Sequence, residues 1–109
     1  MAEAAKAVAD HCGERILYIN VMNNLSVDCD CDAHPAAPQM GDIGIFASLD
    51  PVALDQACVD QVYASEDPGK GHLIERMESR HGIHTVEHAA AIGLGSREYV
   101  LVDLDRTQQ

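Results

Sequence analysis

Two cysteines one residue apart open the chemical reading: Cys29 and Cys31 lie in the run Asp28-Cys29-Asp30-Cys31-Asp32-Ala33-His34-Pro35. In an extended loop, residues two apart point to the same side, so both sulfurs can lean toward one ion while the Asp residues face away. A disulfide between them would close a small, strained ring. Neighbouring carboxylates disfavour thiolates through like-charge repulsion, and a bound cation removes that penalty by deprotonating the thiols and satisfying the acids. His34 adds a nitrogen at short reach. Cys29, Cys31 and His34 with one further group make an acceptable shell for a zinc or iron ion. Asp30, Asp42 and Asp55 are the candidates to support that shell from outside it. No second closely spaced cysteine pair follows, so the pattern is not that of a zinc finger or ribbon. The same run also suits a structural acidic turn, whose Cys and Asp side chains bond backbone amides, or a ligand pocket without metal.

The other chemistry-bearing residues have blander readings. Cys58 lies four residues after Leu54 and four before Val62, so it belongs to a helical core stripe and acts as a small hydrophobe. Cys12, beside His11 at the end of a helix, reads as a surface thiol or as part of an interface. His84 and His88 have the four-residue spacing that clamps a metal from one helix, yet a solvated helix face accounts for them equally simply. Asp50 has a sufficient role as a helix cap. Asp55 and Asp60, five apart, do not share one helix face. Gly69-Lys70-Gly71 lacks the preceding Gly and following Ser or Thr of a phosphate loop, and no nucleophilic Ser elbow is present.

The secondary structure that carries these groups follows from periodicity. Ala2 to His11 is rich in good helix formers, with Gly13 as a stop. Ile16 to Met22 is a short β-prone apolar run that reads as a buried strand, and Asp42 to Ser48 reads as a second one. Residues 23–41 between them hold no period and the densest set of potential ligands, which marks a long functional loop. Asp50-Pro51 opens a helix with a broad apolar stripe. Asp67-Pro68-Gly69 is a turn, His72 to Arg80 a shorter helix, and Thr85 a cap for a helix running through Ala91. Glu98 to Asp103 is expected as a third strand. The prediction is α/β: a small mixed three-stranded sheet covered by about four helices, in a single domain over 1–109.

Eighteen acidic residues against seven Lys and Arg leave a formal charge of -11. That argues against a nucleic-acid partner, which requires a basic surface, and against docking on an anionic membrane. No apolar stretch approaches a membrane span, and no basic start followed by an apolar run suggests export. The expected address is cytoplasmic, with the cysteines as thiols or ligands.

At this point the residues carry a resemblance. Tyr18-Ile19-Asn20, Cys29-Asp30-Cys31, Asp42-Ile43-Gly44-Ile45, Ser48 and Asp50-Pro51-Val52-Ala53 followed by Asp55 resemble the C-terminal part of the uncharacterised iron–sulfur-centre proteins, the family of domain of unknown function 362. The stretch from Glu78 to Gly95 is similar to it as well. Members of that family run to several hundred residues, and many carry a ferredoxin-like segment of Cys-x-x-Cys repeats upstream. The resemblance therefore implies a C-terminal fragment whose partner is the missing N-terminal part of its own chain, and it leaves a homo-oligomer open. An iron–sulfur cluster is implied only for the full-length family, because two thiols and one imidazole do not complete a cubane that prefers four Cys.

Two functions are expected from this reading. One is a metal- or redox-associated domain with the Cys-Asp-Cys loop as its metal site. The other is a structural or interaction domain that packs against the missing ferredoxin-like segment and holds no metal of its own. An enzyme acting on a small substrate through Asp55 and the Cys loop is a third option; the sequence names no reaction.

Overall fold

The computed structural model describes residues 1–28 and 31–107. Helix α1 spans Ala2–Cys12 and ends at Gly13, whose φ of 62° suits a residue without a Cβ. Strands β1 (Tyr18–Met22) and β2 (Gly44–Ser48) pair antiparallel, with Tyr18 opposite Ser48 and Met22 opposite Gly44. Helix α2 spans Pro51–Ala64, α3 Lys70–Ser79 and α4 Ile83–Ala91; a single turn, α5, covers Leu104–Thr107.

Helix α2 is the hub. It packs on both strands, on α3 and on α4, while α1 rests on α4. Its start is set locally, as Asp50-Pro51 predicts. One Asp50 carboxylate oxygen accepts from the Val52 and Ala53 amides at 2.9 and 3.1 Å, meeting two of the donors a helix start leaves open. The other oxygen accepts from the Ser96 amide at 2.9 Å, so the same cap catches the chain after α4. Two core clusters flank this hub. Met22, Met40, Leu54, Cys58 and Val62 form one, with Tyr18, Phe46, Leu73 and Met77 packed against it. Ala2, Val52, Val86 and Ala89 form the other. Cys58 thus sits in the core, where its spacing put it.

The expected three-stranded sheet is not what forms: among the described residues the sheet has two strands. The segment 98–103 has strand composition but no strand partner. Arg97 Nε donates to Gln56 Oε1 at 2.9 Å, and the Tyr99 hydroxyl donates to Asp60. Gln56 in turn donates to Asp60 at 2.9 Å. These bonds hold the segment along α2 rather than along a strand edge, so its propensity has no ladder to join. The Asp60 carboxylate, then burial, push the Tyr99 hydroxyl up to about 12. Helix α4 also starts earlier than a Thr85 cap predicts. Gly82 N closes onto Met77 O at 2.8 Å, and His81 turns the chain at a φ of 50°, so Ile83 already lies in the next helix. Helix α3 likewise begins at Lys70 rather than His72.

Asp67 ties the end of the long loop to the start of α3. Its carboxylate accepts from the Gly41 and Gly69 amides, both at 2.8 Å, and these two bonds, Gly41 first, hold it below the usual carboxylate range. A carboxyl depressed in the fold contributes stability above its unfolded pKa and loses it as pH falls through the folded one. Glu3 behaves alike, lowered first by its hydrogen bond with His88, a 2.6 Å contact joining α1 to α4. Melting temperature is therefore expected to stay level above the ordinary carboxylate range and to drop below it. The drop should be shallower in Asp67→Ala, as thermal melts across an acid series would record.

Candidate functional site

The long connection from Asn23 to Ile43 is fastened at several points. Asn24 N donates to Asp42 Oδ1 at 2.9 Å. Ser26 Oγ donates to Ala36 O at 3.0 Å, and Ala36 N returns a bond to Asp28 Oδ2 at 2.7 Å, which closes the loop upon itself. Arg76 on α3 then clamps it: its guanidinium donates to Val27 O at 2.8 Å and meets Asp28 Oδ1 at 3.4 Å. A planar guanidinium suits this task because it bonds a carbonyl and a carboxylate together.

Beyond this clamp the loop carries the expected ligands. Cys31 and His34 are exposed. His34 N donates to Asp32 Oδ1 at 2.9 Å. Asp28 and Asp32 thus both bond backbone amides, as the acidic-turn reading anticipates. Cys29 and Asp30 lie outside the described residues. Among the described residues, no three His, Cys, Asp or Glu side chains come together as a metal shell.

The two remaining acids expected near the loop have separate tasks. Asp42 holds the Asn24 amide. Asp55 lies on α2, where its Oδ1 accepts from Asn20 Nδ2 at 2.8 Å. The same amide nitrogen reaches Cys58 Sγ at 3.5 Å. Burial pushes the Cys58 thiol up, and the Asp55 charge adds to this against the Asn20 hydrogen bond. Cys58 is therefore a core thiol whose surroundings favour its protonated form. His84 and His88 stack with ring centroids 6.1 Å apart, and His88 serves the contact with Glu3.

Sequence reasoning missed Arg76 and Asn20. Nothing local distinguishes Arg76 from other helix arginines, because its partners lie 48 and 49 residues away. Asn20 did leave a signal: a polar amide in the middle of an apolar strand must find partners, and here it finds α2.

A family model described as a domain of unknown function (DUF362) matches residues 1–60, just over half of the chain, and spans the Cys loop, both strands and the Asp50 cap. No curated protein and no solved structure matches the chain.

Proposed function

The chain belongs to the DUF362 family, and on that premise we propose that it is an interaction domain, docking through the outer face of its β1–β2 ribbon onto a protein surface with an apolar centre and a basic rim. The observation that carries this is the exposure of that face: Ile19 is 57% exposed, Val21 59% and Ile45 72%. These side chains alternate with Tyr18, Met22 and Phe46, which pack on the core. Strands apolar on both faces are strands made to be covered on both faces. A two-stranded ribbon is marginal unless something packs on it, and clustered exposed apolar residues mark a contact surface. Leu17 and Leu49, 60% and 71% exposed, extend the patch past the Tyr18–Ser48 end of the ribbon. The charge of -11 selects a basic rim on the partner and opposes the pairing of two copies.

A synthetic peptide of alternating Leu and Lys tests this, with residue-resolved NMR as the readout. Binding is expected to shift residues 17–21 and 45–49, to vanish in Ile19→Ser/Ile45→Ser at unchanged melting temperature, and to fail with a Leu-Glu peptide. Equal binding by that variant, shifts confined to other faces, or light scattering that finds a homodimer burying the ribbon would each overturn the proposal.

The Cys loop supports a second reading, favoured by the Arg76 clamp on Val27 and Asp28 at the start of the ligand-rich run. In it, Cys29, Cys31 and His34 hold a zinc or iron ion, which would keep both thiols ionised and offset the surrounding acids. Metal content of anaerobically purified protein beside Cys29→Ser and Cys31→Ser decides it. Metal in the parent alone supports the site, and negligible metal in all three removes it.

A further inference from the structure

A cavity of about 520 Å³ opens between α2, α3 and α4, and no part of the ribbon face lines it. Its volume falls within the range of small-molecule sites. Val59, Met77, Ile83 and Val86 form an apolar wall, and no Lys or Arg lines it. Two carboxylates do. Asp55 accepts from Asn20, and Glu78 Oε1 accepts from the Tyr63 hydroxyl at 3.1 Å. Each is thus held in place by a neutral donor, and neither joins an ion pair among the described residues. Asp55 and Tyr63 stand eight residues apart on α2, about 12 Å along the helix axis. The cavity therefore has a carboxylate outside any described ion pair toward each end and an apolar wall between, with His81 as the one other titratable nitrogen base in the lining.

We propose that this cavity binds an aliphatic diammonium ligand, an α,ω-diamine or polyamine, with one ammonium at Asp55, the other at Glu78, and the methylene chain along Val59, Met77 and Val86. Charge-assisted hydrogen bonds at both ends fix length and sign, while the chain leaves water against the wall. A monoamine satisfies one carboxylate only, and an anion meets repulsion at both.

Calorimetric titration of the chain at physiological ionic strength with hexamethylenediamine, hexylamine and hexanoate tests this, with amide NMR shifts to locate binding. The diamine is expected to bind at least tenfold more tightly than hexylamine, with shifts at Val59, Thr85 and Val86, and hexanoate is expected not to bind. Asp55→Asn and Glu78→Gln should each weaken the diamine about tenfold while leaving hexylamine within a few-fold. Asp55→Asn retains an oxygen for Asn20, so its fold is kept, and an unchanged melting temperature checks both variants. Equal affinity for mono- and diamine, variants that bind as the parent does, or shifts spread over the acidic surface would overturn the assignment.

Discussion

Leu54→Ala is expected to cost about 2–5 kcal/mol, the range for emptying a well-packed leucine site. Leu54 is 3% exposed and lies in α2 within the cluster of Met22, Met40, Cys58 and Val62. That cluster joins the ribbon, the long loop and α2, so the void cannot close by moving one element. A domain of this size has only about 5–15 kcal/mol of stability in total, and the melting temperature should fall on the order of 10 °C or more. Leu49, next to the ribbon, is 71% exposed, and Leu49→Ala should stay within about 0.5 kcal/mol. Urea unfolding of the two variants side by side measures the contrast. A similar small loss in both would mean that the core is not organised around α2.

Gly69→Ala is the second large effect. A Cβ at Gly69 would lie 1.7 Å from Gln39 O and 2.5 Å from Gln39 C, and a backbone carbonyl cannot swing aside as a side chain can. Met40, the next residue, is 6% exposed in the core, so the loop can retreat only by drawing Met40 out. Overpacking of this kind costs about 1–3 kcal/mol and sometimes more. The control sits two residues on: a Cβ at Gly71 meets nothing within 4 Å, and Gly71→Ala inside α3 should stabilise by up to about 1 kcal/mol. Hydrogen exchange should show the cost of Gly69→Ala falling first on residues 37–43. A Gly69→Ala protein as stable as the parent would refute the close packing of loop on helix.

Both effects bear on function because they separate support from surface. Leu54 and Gly69 hold the scaffold on which the ribbon face, the Cys turn and the diamine cavity are carried. Ile19 and Ile45 are mostly exposed, so their replacement should remove binding and leave folding intact. Residues of a contact surface differ from residues of a core in this respect.

What depends on a few neighbouring residues was legible before folding. The Asp50-Pro51 start of α2, the Gly13 stop, the Asp67 turn, both strands of the ribbon and the irregular loop between them all follow from capping, φ preference and apolar period, which act within about one turn of chain. The placement of Cys58 in the core followed from the same period. Tertiary structure decided what depends on partners far along the chain. Glu98 to Asp103 has strand composition, yet a strand exists only where an edge receives it, and Tyr99 is held on Asp60 instead. Asp55 on α2 accepts from Asn20, 35 residues away, a pairing no local pattern announces. Arg76 clamps Asp28 and Val27 across an even longer span. The outer face of the ribbon reads as core in sequence and becomes surface because α2 covers only one side. Hydrophobic pattern says which residues seek burial; only the packing of distant elements determines which of them this chain can bury alone.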